Sequence, residues 1–199
     1  MWDAILQGLM ALSGWEVFAA LLGVGYIVFA ARESQWCWPM AFVSTLIYTL
    51  LFWDGQLPMQ ALLNFYYMGM AVYGFMLWRQ HQQADNNIAI HNWPLSYNLA
   101  FLLTGGVLTA IIGFYLATSQ TSQMPYLDAG ITVFSVLNTW LMARKVLQNW
   151  LYWVFIDAAA IVLYLETGFY ATVALFSLYT VLALAGFLNW TRLHRLQSA

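Results

Sequence analysis

Long apolar segments decide what this chain can fold into. A helix needs roughly 20 apolar residues to cross a bilayer, and seven segments of the sequence approach or exceed that length. Only 7% of the residues are charged and 63% are hydrophobic, too few polar groups to cover the surface of a soluble protein. The sequence therefore predicts an all-α integral membrane protein. Its seven predicted transmembrane helices cover residues 16–31, 37–53, 58–78, 95–117, 126–143, 149–165 and 169–190.

The basic residues indicate the orientation of these helices. With seven spans, every lysine and arginine of the chain falls on one side of the membrane. The positive-inside rule makes that side cytoplasmic, so we expect the N-terminus outside and the C-terminus in the cytoplasm. The segment 1–14 lacks the positive start of a cleavable signal peptide, and we expect a short interfacial helix there. The six basic residues are Arg32, Arg79, Arg144, Lys145, Arg192 and Arg195.

The two ends of the chain repeat each other. Placing Val24 on Val136, and keeping that offset without a gap, gives eleven identities from Val24 onward. We call this displacement the repeat offset. The alternative to a true repeat is that apolar helices resemble one another through composition alone, but rare residues also match at the repeat offset. The matched pairs include Arg32 with Arg144, Trp38 with Trp150, Gly74 with Gly186 and Trp78 with Trp190.

The repeat predicts two parallel three-helix bundles joined by a linker helix, because the repeat offset spans an even number of helices. SWEET-type carriers use parallel repeats, and transporter substrates bind near the midplane between repeats. We expect three parts. Residues 1–78 hold the N-terminal segment and the first bundle, 79–125 a cytoplasmic loop and the linker helix, and 126–199 the second bundle and a cytoplasmic tail.

Asp157 lies near the middle of the sixth predicted helix. A carboxylate at the bilayer centre costs about 2.5–3.5 kcal/mol on insertion scales, and such residues face the bundle interior or a cavity. Aromatic and polar side chains share helical faces with it or occur on neighbouring spans, and aromatic faces attract cations. We therefore expect a site for a flat, polar, cationic ring compound. The candidate substrate-binding residues are Trp150, Trp153, Asp157, Asn64, Tyr67, Tyr48, Thr45, Asn138, Gln60 and Tyr179.

Several of these features have structural alternatives. Trp78 and Trp190 lie near predicted span ends, where tryptophan often anchors a helix at the lipid interface, and we expect that role for both. Gly74 and Gly186 are expected to permit close helix packing. The alternative role of Asn64 and Asn138 is an interhelical hydrogen bond. The alternative role of Asp157 is a structural contact with a side chain of a neighbouring helix.

The sequence offers no sign of an enzyme, a metal site or a cofactor. Cys37 is the single cysteine, which excludes an intrachain disulfide and a cysteine-based metal site. The three histidines are predicted to lie in a loop or in the tail. The chain contains no HExxH, GxSxG or GxxxxGK[ST] motif. It also lacks a basic block, so we expect no nucleic-acid partner.

Two segments carry a family resemblance. WLMARKVLQNWLYWVFID, residues 140–157, followed by GFY at 168–170, resembles the second-half signature of the PnuC family of vitamin transporters. LLNFYYMGMAVYGFMLW, residues 62–78, resembles its first-half segment. The resemblance implies a SWEET-like fold in a bacterial inner membrane. It also implies facilitated diffusion of an unphosphorylated vitamin that a cytoplasmic kinase then traps.

The resemblance leaves the vitamin open. Nicotinamide riboside is the family's founding substrate, and related subgroups carry thiamine and, less typically, riboflavin. This chain has Asn64 where glutamine is common, Phe75 where the family has tryptophan, and Asp157 where some members have asparagine. The family default favours nicotinamide riboside and the departures favour thiamine. Both are cationic heteroaromatic compounds, so the residues themselves do not separate them.

Overall fold

The computed structural model describes Met10 and residues 13–55, 58–83, 89–119 and 122–197. Within these residues the chain folds into seven α-helices. The interfacial helix expected for the segment 1–14 falls largely outside that part. The helices are α1 (Gly14–Ala31), α2 (Cys37–Asp54), α3 (Pro58–Gln83), α4 (Leu95–Thr118), α5 (Pro125–Ala143), α6 (Asn149–Glu166) and α7 (Tyr170–Gln197).

The predicted helices are confirmed, with the two main differences at the ends of α3 and α7. These helices continue to Gln83 and Gln197, beyond the predicted ends at 78 and 190. Both extensions carry polar and basic residues without glycine or proline, so helical hydrogen bonding continues after the apolar run stops. The length of the apolar segment predicts where a helix leaves the hydrocarbon core of the membrane. It does not predict where the helix ends, because backbone hydrogen bonding continues into the polar segment.

Four of the described helices, α1, α4, α6 and α7, are long and apolar enough to cross a membrane by length and composition. The other three, α2, α3 and α5, interrupt their apolar residues with tyrosine, tryptophan and polar side chains. These three helices all belong to the two repeats and contribute side chains to the interior described below.

The helices pack as two three-helix bundles and one linker. In the first bundle α2 packs against α1 and α3, and in the second α6 packs against α5 and α7. The bundles meet where α1 packs against α7 and α3 packs against α5, two interfaces that the repeat makes equivalent. Among the described residues α2 and α6 do not pack against each other, whereas α4 packs mainly against α5 and also meets α6, where Tyr152 stacks on Phe101. The predicted arrangement of three, one and three helices is confirmed.

The turns within the two bundles reproduce the repeat offset. Glu33, after α1, and Lys145, after α5, are the positive-φ residues other than glycine in the described chain, with φ of 53° and 55°. Each turn is closed by an equivalent bond: the Ser34 amide donates to Phe29 at 2.9 Å, and the Val146 amide donates to Leu141 at 3.1 Å. The repeat is therefore structural and does not merely reflect shared composition.

A tryptophan cluster fills the contact between the bundles at the end of the molecule that carries the basic residues, here called the basic end. The cluster consists of Trp38, Trp78, Trp150 and Trp190, each at most 3% exposed. Its rings form two edge-to-face pairs, Trp38 with Trp78 and Trp150 with Trp190, each with centroids 5.4 Å apart. The expectation that Trp78 and Trp190 anchor at the lipid interface is therefore wrong.

The reason is that both indoles find polar partners across the bundle interface. Trp78 Nε1 donates to the carbonyl of Ala143 at 2.9 Å, and Trp190 Nε1 donates to the carbonyl of Ala30 at 3.1 Å. Each acceptor lies near the end of a helix, where carbonyls lack intrahelical partners. Inside the protein each indole N–H thus has a hydrogen-bond acceptor, as it would in the headgroup region of a membrane.

The two repeat-equivalent glycines permit close packing, as predicted, but against indole rings. A Cβ on Gly186 would lie 2.6 Å from the ring of Trp150, and a Cβ on Gly74 would overlap the ring of Trp38 in the same manner. Glycine at these positions therefore lets the tryptophan cluster form against the backbone of α3 and α7.

Candidate functional site

A cavity of about 270 Å³ lies between the two bundles. All six repeat helices contribute to it. Its lining residues on the first bundle are Gly23, Tyr26, Ile27, Trp38, Ala41, Ser44, Thr45, Tyr67 and Ala71. Those on the second bundle are Ser135, Thr139, Met142, Trp150, Trp153, Asp157, Phe176, Tyr179 and Ala183.

The lining follows the internal repeat. Fourteen of these eighteen residues form pairs related by the repeat offset. The pairs are Gly23 with Ser135, Ile27 with Thr139, Trp38 with Trp150, Ala41 with Trp153, Thr45 with Asp157, Tyr67 with Tyr179 and Ala71 with Ala183. The cavity therefore lies on the axis that relates the two bundles, as the parallel-repeat plan predicts.

Among the described residues, Asp157 is the one carboxylate that lines the cavity. The residue is only 3% exposed. Within the described part of the chain no hydrogen bond or ion pair involves this carboxylate. An ionised carboxylate that is buried without a partner is strongly unfavourable. The arrangement is suited to a cationic ligand that would complete the pairing.

Indole N–H groups are the second unsatisfied feature of the lining. Trp38 and Trp150, which are repeat equivalents, both line the cavity. The Nε1 atoms of both are buried, and no hydrogen-bond acceptor lies within reach of them in the described structure. The other two indoles of the tryptophan cluster donate to carbonyls. Within the tryptophan cluster, the two indoles that border the cavity are therefore the ones without a hydrogen-bond acceptor in the described structure.

Six of the ten predicted substrate-binding residues lie in this lining: Thr45, Tyr67, Trp150, Trp153, Asp157 and Tyr179. They come from α2, α3, α6 and α7. The helical faces inferred from the sequence thus meet at one place. Their contact with a substrate stays a prediction.

The other four predicted residues lie outside the lining. Tyr48 stacks on Phe52, with ring centroids 5.7 Å apart. Asn64 donates to the Gln60 carbonyl at 3.0 Å, and the side chain of Gln60 is exposed. Asn138 is fully buried and donates to the Asn149 carbonyl at 2.9 Å. The contact made by Asn138 corresponds to the structural alternative for that residue.

Sequence reasoning missed the contribution of α1 and α5 entirely. Ser135, Thr139 and Met142 line the cavity from α5 at helical spacing, and the repeat places Gly23 and Ile27 opposite the first two. Applying the repeat offset to Trp150 would have identified Trp38. Gly23, Ala41, Ala71 and Ala183 carry no chemical signal of a site, because small residues are common wherever membrane helices pack closely.

Within the described residues no cluster of three or more histidine, cysteine, aspartate or glutamate side chains could hold a metal ion. Aromatic faces, several hydroxyls and one carboxylate line the cavity and can bind a flat polar molecule. They do not form a nucleophile with an adjacent base.

Comparison with known proteins identifies the family. The sequence model described as "Nicotinamide mononucleotide transporter" matches residues 13–192. The Nicotinamide riboside transporter PnuC of Escherichia coli is 26% identical over 204 residues, which cover 90% of this chain and 85% of that protein. The Riboflavin/roseoflavin transporter RibM of Streptomyces davaonensis is 25% identical over 178 residues, covering 88% of this chain and 83% of its own length.

A solved structure shares the fold. The crystal structure of the Vitamin B3 transporter PnuC superposes with a TM-score of 0.73 at 21% sequence identity, covering 91% of this chain and 82% of that one. The matched proteins are transporters and not enzymes. The resemblance to the PnuC family noted from the sequence is confirmed, and the chain belongs to the nicotinamide mononucleotide transporter family, as a multi-pass membrane protein.

Proposed function

We propose that this protein carries a water-soluble vitamin with a cationic heteroaromatic ring across the bacterial inner membrane. Nicotinamide riboside is the first candidate and thiamine the alternative. The Escherichia coli relative, a nicotinamide riboside transporter by name, supports the first. The positions at which this sequence departs from the family pattern support the second. Riboflavin is a third candidate, supported by the Streptomyces relative.

The observation that carries the proposal is the position of Asp157. Its carboxylate is buried at the cavity wall, has no partner among the described residues and lies one helical turn from Trp153. A positively charged ring could stack on an indole and pair with a carboxylate at once. Riboflavin is neutral and would leave this carboxylate unpaired.

The size of the cavity also favours the two cationic vitamins. Small-molecule pockets usually measure about 300–1,000 Å³, and this cavity of about 270 Å³ is slightly smaller than that range. Nicotinamide riboside and thiamine each consist of two linked rings. Riboflavin is considerably larger, with three fused rings and a ribityl chain.

We further propose facilitated diffusion, with trapping of the vitamin by a cytoplasmic kinase. The sequence lacks a phosphate-binding loop, so the chain itself offers no site for ATP. All six basic residues belong to the ends of α1, α3, α5 and α7, or to the turns after them. The positive-inside rule then makes the basic end cytoplasmic, with the N-terminus outside.

Rocking of the two bundles would provide alternating access. The hydrogen bonds of Trp78 and Trp190 join the bundles at the basic end. Asn189 adds a third bond across the interface, to the carbonyl of Ala31 at 2.7 Å. The present conformation is therefore held together at that end. Transport requires these contacts to open and equivalent closure to occur at the other end.

The first test is a titration of the purified, detergent-solubilised protein with nicotinamide riboside, thiamine and riboflavin, followed by intrinsic tryptophan fluorescence. Four tryptophans lie in the cluster beside the cavity, so bound ligand should quench the signal. Selective saturation by nicotinamide riboside supports the first candidate, and selective saturation by thiamine supports the alternative. Absence of saturation by all three would overturn the proposal.

The second test addresses coupling. Proteoliposomes that contain the protein should equilibrate the vitamin, so that internal and external concentrations become equal. Including the matching kinase and ATP inside the vesicles should then drive further accumulation as the phosphorylated product. An imposed pH gradient should add nothing. Accumulation above equilibrium in response to that gradient would contradict facilitated diffusion and assign Asp157 to proton coupling.

A further inference from the structure

The lining of the cavity is symmetric in position but not in residue type. Four of its repeat pairs differ in size or polarity, and in each pair the second bundle supplies the larger or more polar member. The pairs are Gly23 with Ser135, Ile27 with Thr139, Ala41 with Trp153 and Thr45 with Asp157. A symmetric cavity would accept a ligand equally well in two orientations. This one has two different walls.

The contrast is greatest between α2 and α6. Both helices line the cavity without packing against each other in the described structure, and the repeat relates one to the other, which fits walls on opposite sides of the cavity. Residues four apart share a helical face. On α6 that face presents the indole of Trp153 and the carboxylate of Asp157. On α2 the equivalent face presents the methyl group of Ala41 and the side chain of Thr45.

The wall formed by α2 offers little polar chemistry. The hydroxyl of Thr45 donates to the carbonyl of Ala41 at 2.8 Å, so its proton is already committed to its own helix. What this wall contributes instead is space, because a methyl group stands where the repeat has an indole. The space lies across the cavity from the aromatic and charged wall.

We propose that the substrate ring lies between Trp153 and Ala41, with its positive charge toward Asp157, and that Ala41 sets the largest ring the site admits. This inference rests on the proposed vitamin transport and adds one binding orientation and a size-determining residue. Trp153 supplies the stacking surface. Ala41 supplies the room for the ring on the other side, and a larger side chain there competes with the substrate for the same volume.

Graded substitution of Ala41 tests the size limit. Ala41→Ser, Ala41→Leu and Ala41→Trp should weaken vitamin binding in the order of added volume. Because overfilling a packed site is unfavourable, the loss should reach roughly 10- to 100-fold for the larger side chains. Isothermal titration calorimetry is suitable, since an added tryptophan would confuse a fluorescence measurement. Val43→Trp is the matched control, because Val43 lies on the same helix, is 39% exposed and does not line the cavity.

Two exchange variants test the orientation. The double variant Ala41→Trp with Trp153→Ala preserves total volume but moves the space to the wall that carries Asp157. It should bind as weakly as Ala41→Trp alone. Adding Thr45→Asp and Asp157→Thr moves the carboxylate to the other wall as well, which restores the original relation between indole, space and charge. That fourfold variant should recover roughly tenfold in affinity over the double variant, since the charge-assisted contact returns.

The outcomes separate this inference from the proposed function. If the unmodified protein binds none of the three vitamins, the proposed function fails and this inference fails with it. If the unmodified protein binds but Ala41→Leu and Ala41→Trp bind equally well, only the size-determining role is overturned. Wild-type affinity in the double variant would overturn the single orientation. Thermal unfolding of each variant identifies misfolding, in which case the smaller Ala41→Leu change decides.

Discussion

Glu33 and Lys145 occupy equivalent positions in the two repeats and form an ion pair with each other, with Lys145 Nζ 2.8 Å from Glu33 Oε1. Both have positive φ, in matching turns at the basic end. Lys145 Nζ also lies 4.7 Å from the centre of the Trp78 ring. The pair therefore joins the two bundles beside the tryptophan cluster, and any motion that opens the basic end must separate its members.

Glu33→Gln is expected to favour opening of the basic end. The ion pair is mostly buried, so its loss should cost roughly 1–3 kcal/mol, between the values typical of surface and of buried pairs. Cys37 is the single cysteine, is fully buried and begins α2 at this end, which makes it a reporter. Its labelling by a thiol reagent in detergent should become faster in Glu33→Gln. Exchanging the charges, with Glu33→Lys and Lys145→Glu, should slow labelling again. Equal rates in all three proteins would show that the pair does not hold the bundles together.

Asp157→Asn should weaken binding of a cationic vitamin by about one to two orders of magnitude, because a charge-assisted contact contributes roughly 1.5–3 kcal/mol. Calorimetric titration of the purified protein measures the change. Asp54→Asn is the control, because it removes the same charge from an exposed residue outside the cavity. Unchanged affinity in Asp157→Asn would assign the carboxylate a structural role.

Gly74→Ala and Gly186→Ala should each destabilise the fold by about 1–3 kcal/mol, because the added methyl group would overlap an indole of the tryptophan cluster. Thermal unfolding in detergent detects the loss. Gly69→Ala provides the comparison within α3, because a Cβ there meets nothing within 4 Å. Since alanine is favoured over glycine in helices by about 1 kcal/mol, this control should be neutral or more stable. A similar loss in all three variants would contradict the packing argument.

The basic end should face the cytoplasm. Green fluorescent protein fused after residue 199 should therefore fluoresce in cells, whereas alkaline phosphatase fused at the same point should be inactive. A second phosphatase fusion in the turn after α2, near Gly55, should be active. The reverse pattern would contradict the orientation given by the positive-inside rule.

The fold could be predicted largely from the sequence, because its two determinants leave visible patterns. Apolar length predicts the part of each helix that lies in the membrane, and for α2 and α6 the predicted bounds agree with the structure to within one residue. The repeat offset established the relation between the bundles. The sequence pattern could not show that Trp78 and Trp190 are buried. A tryptophan near the end of a predicted span gives the same sequence pattern whether lipid or protein covers its indole.

The cavity was only partly predictable. Side chains with evident chemistry, such as Asp157 and Trp153, stand out on an apolar helix. Tyr48 and Asn138 are equally conspicuous in the sequence. Yet Tyr48 stacks on Phe52 of its own helix, and Asn138 donates a hydrogen bond to the Asn149 carbonyl. Only the packing of six helices distinguishes these cases. Ala41 is the opposite situation, because a residue that contributes space has no signature in a single sequence.

The linker α4 keeps both bundles in one polypeptide and in one orientation, while it packs on α5 and α6 of the second bundle. If three-helix halves paired as two copies of a single gene product, each mutation would alter both walls of the cavity together. Fusion removes that restriction. Thr45 and Asp157, or Ala41 and Trp153, could then diverge by independent mutations, one wall at a time. The linker thus provides evolutionary freedom: an ancestral pore with two equal sides can become a site that distinguishes one end of its cargo from the other.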